Sequence, residues 1–206
     1  MGQWSDEPSD PWLSGRPAER ATSGDLTLDR AHPDDLEELV DSVNSSLDEL
    51  RPWMPWAQVP ATRESIGTFL RQADADWDRG PNFAFAIRGP NGGRAGALLG
   101  YCGLHDRIGP GGLEIGYWIR SDCTGRGVAT SAAAALTTSA LDVDGVTRVE
   151  IRCDAANVRS AAVPARLGFR LDRIESRAPT APGETDRHMI WILESDAGGD
   201  AERDPI

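Results

Sequence analysis

The hydrophobic pattern of residues 25–194 switches repeatedly between the two-residue period of strands and the longer period of helices. The stretch Leu26-Thr27-Leu28-Asp29-Arg30 alternates as a strand does, whereas Ile66, Phe69 and Leu70 recur at helical spacing. The whole pattern predicts the order βααβββαβαββ, in which an antiparallel meander and a βαβ crossover share one sheet. This order indicates a mixed α/β (α+β) fold with about seven strands and about four helices.

The predicted elements are bounded by ordinary start and stop signals. Pro33 and the acids after it open the first helix, and Gly80 with Pro81 ends the second. Pro164 lies inside the last predicted helix and cannot donate to the carbonyl of Ser160, so this helix should bend or begin late. The predicted strands are 26–30, 83–87, 97–101, 113–119, 146–153, 169–174 and 188–193, and the predicted helices are 32–47, 62–79, 129–141 and 158–167.

The two ends of the chain differ from its middle in composition. Residues 1–24 and 195–206 are rich in Pro, Gly, Ser and acidic residues and lack hydrophobic periodicity. We therefore expect a disordered tail over 1–24, one domain over 25–194 and a disordered acidic tail over 195–206.

Composition excludes several classes of function. The formal net charge is −12, which argues against a nucleic-acid binder because phosphate contacts need a basic surface. No apolar run approaches the roughly 18 residues of a membrane span, and the N-terminus lacks the pattern of a secretory signal. Cys102, Cys123 and Cys153 lie far apart with no CxxC pair, so we expect no disulfide framework, no metal site and a cytoplasmic location.

A glycine-containing loop stands between the predicted strand 113–119 and the helix that follows it. In Thr124-Gly125-Arg126-Gly127-Val128-Ala129-Thr130 the closely spaced glycines let successive N–H groups point outward at the first helical turn. Such a loop suits a pyrophosphate. The alternative is a plain structural turn, because a pair of glycines between a strand and a helix also occurs there. The chain has no lysine for a Walker loop, and Thr130 occupies the place of the third glycine of a dinucleotide fingerprint.

Three further segments accompany this loop in a fixed order. Residues 114–119 (Glu-Ile-Gly-Tyr-Trp-Ile) precede it, and residues 157–160 (Asn-Val-Arg-Ser) and 166–169 (Arg-Leu-Gly-Phe) follow it. With residues 53–56 (Trp-Met-Pro-Trp) after the first helix, the chain resembles the GNAT superfamily of acetyl-CoA-dependent N-acetyltransferases over residues 25–194. It is most similar to the RimJ/RimL-type branch, which acetylates N-terminal amines of ribosomal proteins and, in relatives, other amines. The resemblance implies the GNAT fold, with a central twisted mixed sheet.

The resemblance also implies acetyl-CoA as co-substrate and assigns residues to its parts. The thioester carbonyl would be held by a backbone N–H near Trp118 and Ile119, with backbone groups of Ile119 and Arg120 free for the pantetheine arm. Thr124 stands where the family has Arg or Gln, which predicts a lower affinity. The implied cofactor contacts are Trp118, Ile119, Arg120, Thr124, Gly125, Arg126, Gly127, Val128, Ala129, Thr130 and Asn157.

Catalytic candidates follow from the same segments. Glu114 is the first candidate for the base, with a pKa raised by apolar neighbours, and a structural ion pair or hydrogen bond is the alternative. Ser160 is carried over as the acid for the leaving thiolate, with a helix N-cap serine as the alternative. Tyr117 is a weaker acid candidate and a substrate contact. Trp53 and Trp56 either wall the substrate site or fill the space between helices.

The resulting functional prediction is direct attack of a primary amine on the bound thioester in a ternary complex. The amine is a protein N-terminus or a small molecule, and an antibiotic-modifying acetyltransferase is an alternative. A second alternative is a non-catalytic acyl-CoA-binding module on the same fold. The expected partners are therefore a peptide or small-molecule amine, without nucleic acid or membrane, and a homodimer is possible because dimers are frequent among relatives.

Overall fold

The computed structural model of the protein describes residue 13 and residues 15–80, 82–90 and 96–195. Within these residues, eight strands form one mixed sheet and five α-helices pack on its faces. The strands are Arg20–Ser23 (β1), Leu26–Arg30 (β2), Asn82–Arg88 (β3), Leu98–His105 (β4), Gly112–Ile119 (β5), Arg148–Asp154 (β6), Arg170–Ser176 (β7) and Arg187–Glu194 (β8). The helices are Leu36–Asn44 (α1), Leu47–Leu50 (α2), Arg63–Arg79 (α3), Val128–Leu141 (α4) and Val158–Arg166 (α5), with 3₁₀ turns at Pro33–Asp35, Pro55–Ala57 and Ser121–Cys123.

The order of strands in the sheet is β1-β2-β3-β4-β5-β6-β8-β7, and only β5 and β6 pair in parallel. Their pairing is short: residues 112–115 of β5 lie opposite residues 148–151 of β6. Beyond this point β5 continues to Ile119 and β6 to Asp154 without facing each other. The two central strands therefore separate and leave a gap in the sheet.

A hydrophobic core covers each face of the sheet. On one face, α4 buries Ala132, Ala133 and Leu136 against a cluster that includes Ile115 and Ile151. On the other face, residues of α1 and α3 pack with buried residues of β3 and β4, and Trp118 of β5 packs against this cluster. The faces alternate along β5, since Tyr117 and Ile119 pack on the first cluster and Trp118 on the second. This confirms the predicted alternation of β5.

The mixed fold is confirmed, but the structure corrects two expectations about its elements. Arg20–Ser23 forms a strand paired with β2, so the expected disorder up to residue 24 is wrong there. Residues 1–12 and 196–206, where disorder was also expected, lie outside the described residues. The first predicted helix is divided at Ser45 and Ser46, because buried Ser46 accepts a hydrogen bond from Ser121 N (3.1 Å).

Candidate active site

The gap between β5 and β6 exposes the backbone of two residues of β5. Arg148 N donates to Gly111 O (2.9 Å), so the odd-numbered residues of β5 turn their N–H and C=O groups toward β6. Past Ile115 no strand within the described residues pairs with this edge of β5, which leaves the backbone groups of Tyr117 and Ile119 directed into the gap. The gap is therefore lined by backbone donors and acceptors that an extended ligand can pair with.

The same alternation corrects two predicted cofactor contacts. Arg120 N donates to Leu99 O (2.8 Å), so this N–H is already used by β4. Trp118 lies opposite Tyr101 of β4, and its even position turns its backbone groups away from the gap. Arg120 and Trp118 therefore do not offer the free backbone groups that the sequence predicted, whereas Ile119 does.

The glycine loop leads directly into the first turn of α4. Gly125 and Gly127 have φ of +74° and +80°, and a Cβ at either would meet nothing within 4 Å. Gly127 is the N-cap of α4 and supplies no side-chain cap, and the first helical bond runs from Ser131 N to Gly127 O. Among the described residues, no acceptor bonds the six N–H groups from Gly125 to Thr130. Six N–H groups without an acceptor at the positive end of a helix make a candidate anion site.

Two side chains of this loop have different surroundings. The hydroxyl of Thr124 donates to Ser121 O (2.9 Å), so it closes the preceding turn and is not directed at the anion site. Arg126 is exposed and makes no ion pair with any residue that the structure describes. The Thr124 side chain is therefore already engaged, whereas the Arg126 side chain is free to add a positive charge to the site.

Tyr117 of β5 and Ser160 of α5 meet beside the gap. The Tyr117 Oη lies 3.2 Å from Ser160 Oγ and donates to Ser160 O at 3.2 Å. Asn157 is the N-cap of α5, and its Oδ1 accepts from Ser160 N (3.1 Å), so Ser160 is not the capping residue. Burial raises the pKa of Tyr117 despite the hydrogen bond to Ser160, so this phenol stays protonated at neutral pH. The pair presents two neutral hydroxyls.

The structure contradicts the predicted raised pKa of Glu114. Burial alone would raise it, but the Arg107 guanidinium donates from two nitrogens to both carboxylate oxygens and holds the pKa of Glu114 below its usual value. His105 and Arg152 lower it further. Glu114 is also four residues before Trp118, about 13 Å along the strand. We therefore interpret it as the structural ion-pair partner of Arg107 rather than as the base.

Glu114→Gln is expected to lower stability rather than turnover. The change removes a charge-assisted pair with a half-exposed arginine, which is worth about 2 kcal/mol of unfolding free energy. The folded-state pKa is lowered, so this stabilisation is present above the usual value of 4.5 and is lost as the pH falls through the folded pKa. Urea unfolding at pH 7 and pH 3.5 measures the difference, which should shrink at the lower pH. A large fall in kcat with unchanged stability would contradict this interpretation.

A pocket of about 270 Å³ opens beside the start of α5. Trp53 lines this pocket together with Asn157, whereas Trp56 packs on Trp118 with ring centroids 6.1 Å apart. Neither Glu49 nor Arg159, both exposed at the rim, has a partner among the described residues. The lining residues are Glu49, Pro52, Trp53, Ala156, Asn157, Val158 and Arg159.

The loop between β7 and β8 ties the two sides of this pocket together, which the sequence did not predict. Gly183 N donates to Pro52 O (2.8 Å), and a Cβ on Gly183 would lie 2.7 Å from that oxygen. The buried carboxylate of Asp154 accepts from Thr185 N (2.8 Å), from the Thr185 hydroxyl and from Ala156 N (2.8 Å). No local pattern signals these contacts, because they join segments far apart in the chain.

The remaining candidates have structural surroundings. His105 Nδ1 is 2.9 Å from Asn82 Oδ1, and burial, aided by the charge of Arg107, lowers the pKa of His105 to about 4. In the part of the chain that the structure describes, no group of three or more His, Cys, Asp or Glu is arranged to hold a metal ion. No helix there is long and apolar enough to cross a membrane.

Comparison with known proteins agrees with this geometry. Residues 25–170 match the acetyltransferase (GNAT) domain family. YdaF of Bacillus subtilis (strain 168), named as a ribosomal N-acetyltransferase, is 32% identical over 148 residues, which cover 70% of this chain and 77% of YdaF. The structure of RimL, a ribosomal L7/L12 alpha-N-protein acetyltransferase, in complex with coenzyme A has a TM-score of 0.76 at 22% identity and covers 85% of this chain and 97% of RimL.

A second structural neighbour is named for self-immunity rather than for a ribosomal protein. The microcin C7 self-immunity acetyltransferase MccE, in complex with acetyl-CoA and AMP, has a TM-score of 0.75 at 21% identity, covering 83% of this chain and 93% of MccE. At 21% and 22% identity the two structures show that the fold is shared. The match to the acetyltransferase (GNAT) domain family covers more than half of the chain and shows the family. The protein belongs to the GNAT family of acetyltransferases.

Proposed function

We propose that the protein transfers an acetyl group from acetyl-CoA to a primary amine, with the amine of a peptide N-terminus as the preferred acceptor. One observation carries the proposal: an anion site of six free N–H groups and a pair of neutral hydroxyls both adjoin the gap between β5 and β6. A pyrophosphate, an extended amide-containing arm and a thiolate leaving group need these three features in this combination.

The residues fit acetyl-CoA in three places. The N–H groups from Gly125 to Thr130, with Arg126, would hold the pyrophosphate. Backbone groups of Tyr117 and Ile119 would pair with the pantetheine arm, and the Asn157 amide nitrogen remains for a pantetheine carbonyl. The Ile119 N–H is our candidate for polarising the thioester carbonyl. When bound, acetyl-CoA supplies an acetyl group activated as a thioester.

The transfer can then be assigned to side chains of this protein. The neutral amine of the acceptor, held in the pocket of Trp53, attacks the thioester carbon, so that the C–N bond forms and the C–S bond breaks. The sulfur takes the proton of the Ser160 hydroxyl, Tyr117 passes its proton to Ser160 Oγ across 3.2 Å, and a proton from solvent, matching the one that the amine releases, restores Tyr117. The attacking nitrogen releases one proton to solvent, which reaches the pocket at its rim, where Glu49 and Arg159 are exposed.

The choice of a peptide N-terminus rests on the relatives and on the pocket. YdaF, at 32% identity, is named as a ribosomal N-acetyltransferase, and RimL as an acetyltransferase of the L7/L12 N-terminus. The pocket opens at the surface, so a longer chain can extend beyond it. A small-molecule amine is the second candidate, because MccE, named for self-immunity, has the same fold.

The test is acetylation followed by mass spectrometry. The protein is incubated with acetyl-CoA and lysine-free peptides that begin with different residues, each paired with the same peptide carrying a blocked N-terminus. We expect one acetyl group on the free peptides and none on the blocked ones. Acetylation of small amines alone would support the second candidate, and binding of acetyl-CoA without turnover on any amine would identify a non-catalytic module.

Glu49→Gln is expected to weaken binding of the acceptor. An unpaired carboxylate at the pocket rim attracts the ammonium form of the amine, and this attraction is screened by salt. We expect the KM of the peptide to rise about fivefold at low salt and less at high salt, with kcat nearly unchanged. Glu64→Gln on α3 is the matched control because Glu64 is also exposed but is not among the pocket residues. Equal KM values for both variants would remove Glu49 from this role.

A further inference from the structure

Pro164 interrupts the hydrogen bonding of α5 at one defined atom. Proline has no N–H, so the carbonyl of Ser160, four residues earlier, has no helical donor. A proline ring also crowds the carbonyl of the residue four positions before it, which is Ser160 here. A partly buried carbonyl without a donor is costly, so another group should satisfy it.

That group is Tyr117. Its hydroxyl donates to Ser160 O at 3.2 Å and lies at the same distance from Ser160 Oγ. Pro164 itself is buried, as is Val163 beside it, so the interruption is fixed in the core and does not fray. The missing helical bond and the tyrosine contact therefore occur at the same oxygen.

We propose that Pro164 is a positioning residue: it leaves the Ser160 carbonyl free to anchor the Tyr117 hydroxyl beside the Ser160 hydroxyl. This inference rests on the proposed function, in which these two hydroxyls protonate the leaving thiolate. Proline at this position removes one helical hydrogen bond. In its place the Ser160 carbonyl accepts from Tyr117, which fixes the orientation of a phenol that would otherwise rotate about its side-chain bonds.

The test restores the missing donor. Pro164→Ala supplies an N–H that bonds Ser160 O along the helix and competes with Tyr117, and Pro164→Val does so while keeping more of the buried volume. We expect kcat for acetyl transfer to fall about tenfold in both variants, with the dissociation constant of acetyl-CoA and the KM of the peptide within twofold of the unmodified protein. Slowed hydrogen exchange at the new amide of residue 164 would report the restored bond.

Two controls separate this role from a general effect on α5. Val163→Ala truncates the neighbouring buried side chain without changing any backbone donor, and it should lower the melting temperature while leaving kcat nearly unchanged. In a Tyr117→Phe background, Pro164→Ala should change kcat no further, because the hydroxyl that it displaces is gone.

The outcomes distinguish the inference from the function beneath it. Unchanged kcat in both Pro164 variants, with the residue 164 amide protected, would overturn the positioning role while leaving the acetyltransferase intact. The positioning role would also be overturned if Pro164→Ala lowered kcat by the same factor in the unmodified protein and in the Tyr117→Phe background. Absence of acetyl transfer by the unmodified protein with every amine would instead refute the proposed function.

Discussion

Gly127→Glu should abolish binding of acetyl-CoA, measured by isothermal titration calorimetry, with a loss of at least about 100-fold in affinity. Gly127 has φ of +80°, which a side chain disfavours, and it is the N-cap of α4, within the run of six N–H groups that have no acceptor among the described residues. A carboxylate there repels the pyrophosphate and accepts hydrogen bonds from the same donors. The first effect destabilises the complex and the second stabilises the free protein, and steric crowding adds little because a Cβ at this position would meet nothing within 4 Å.

Gly109→Glu is the matched control for strain and charge. Gly109 has φ of +87° and equally open surroundings, but it lies in the loop between β4 and β5 and not at the entry of α4. This variant should bind acetyl-CoA as the unmodified protein does. If Gly127→Glu binds equally well, the loop is a structural turn and our assignment of the anion site is wrong. If both variants lose binding together, the change reflects misfolding and thermal unfolding will show it.

The elements of the fold were largely predictable because local signals determine them. Thr62 forms a reciprocal cap with Ser65 and Gly80 ends the same helix at φ +94°, so α3 lies within a residue of its predicted bounds. The strand Arg20–Ser23 was missed because it is short and polar, and it is held by pairing with β2 rather than by its own pattern. Its existence depends on a neighbour that the local sequence does not reveal.

The candidate site was predictable in its local parts and not in its long-range parts. The glycine loop and the Asn157–Ser160 turn are short motifs whose geometry follows from their own residues. The surroundings of Glu114 depend on Arg107 folding back over β5, and apolar sequence neighbours gave the wrong direction for its pKa. The contact of Gly183 with Pro52 depends on which loops the sheet brings together.

Ser160→Ala should have the largest effect on the chemical step. Removing the hydroxyl leaves the thiolate without its proton donor, and acid catalysis of this kind contributes about 100-fold or more to kcat. Acetyl-CoA affinity should stay within about twofold, because the pyrophosphate and backbone contacts are unaffected. Single-turnover kinetics with the best peptide measures this step directly. Ser139→Ala on α4 is the control, a helical serine that lies far along α4 from the gap.

Tyr117→Phe should lower kcat by about tenfold, less than Ser160→Ala, because the serine hydroxyl still reaches the sulfur. Since burial raises the pKa of Tyr117 above its ordinary value of 10, the phenol stays protonated as pH rises. Ionisation of Tyr117 should therefore not lower the kcat of the unmodified protein below pH 10. The pH profile of Tyr117→Phe should have the same shape over that range. The double variant should be hardly slower than Ser160→Ala alone, because both hydroxyls serve one proton transfer. Fully additive losses would show that the two residues act in separate steps, and unchanged kcat in Ser160→Ala would assign the proton to another donor.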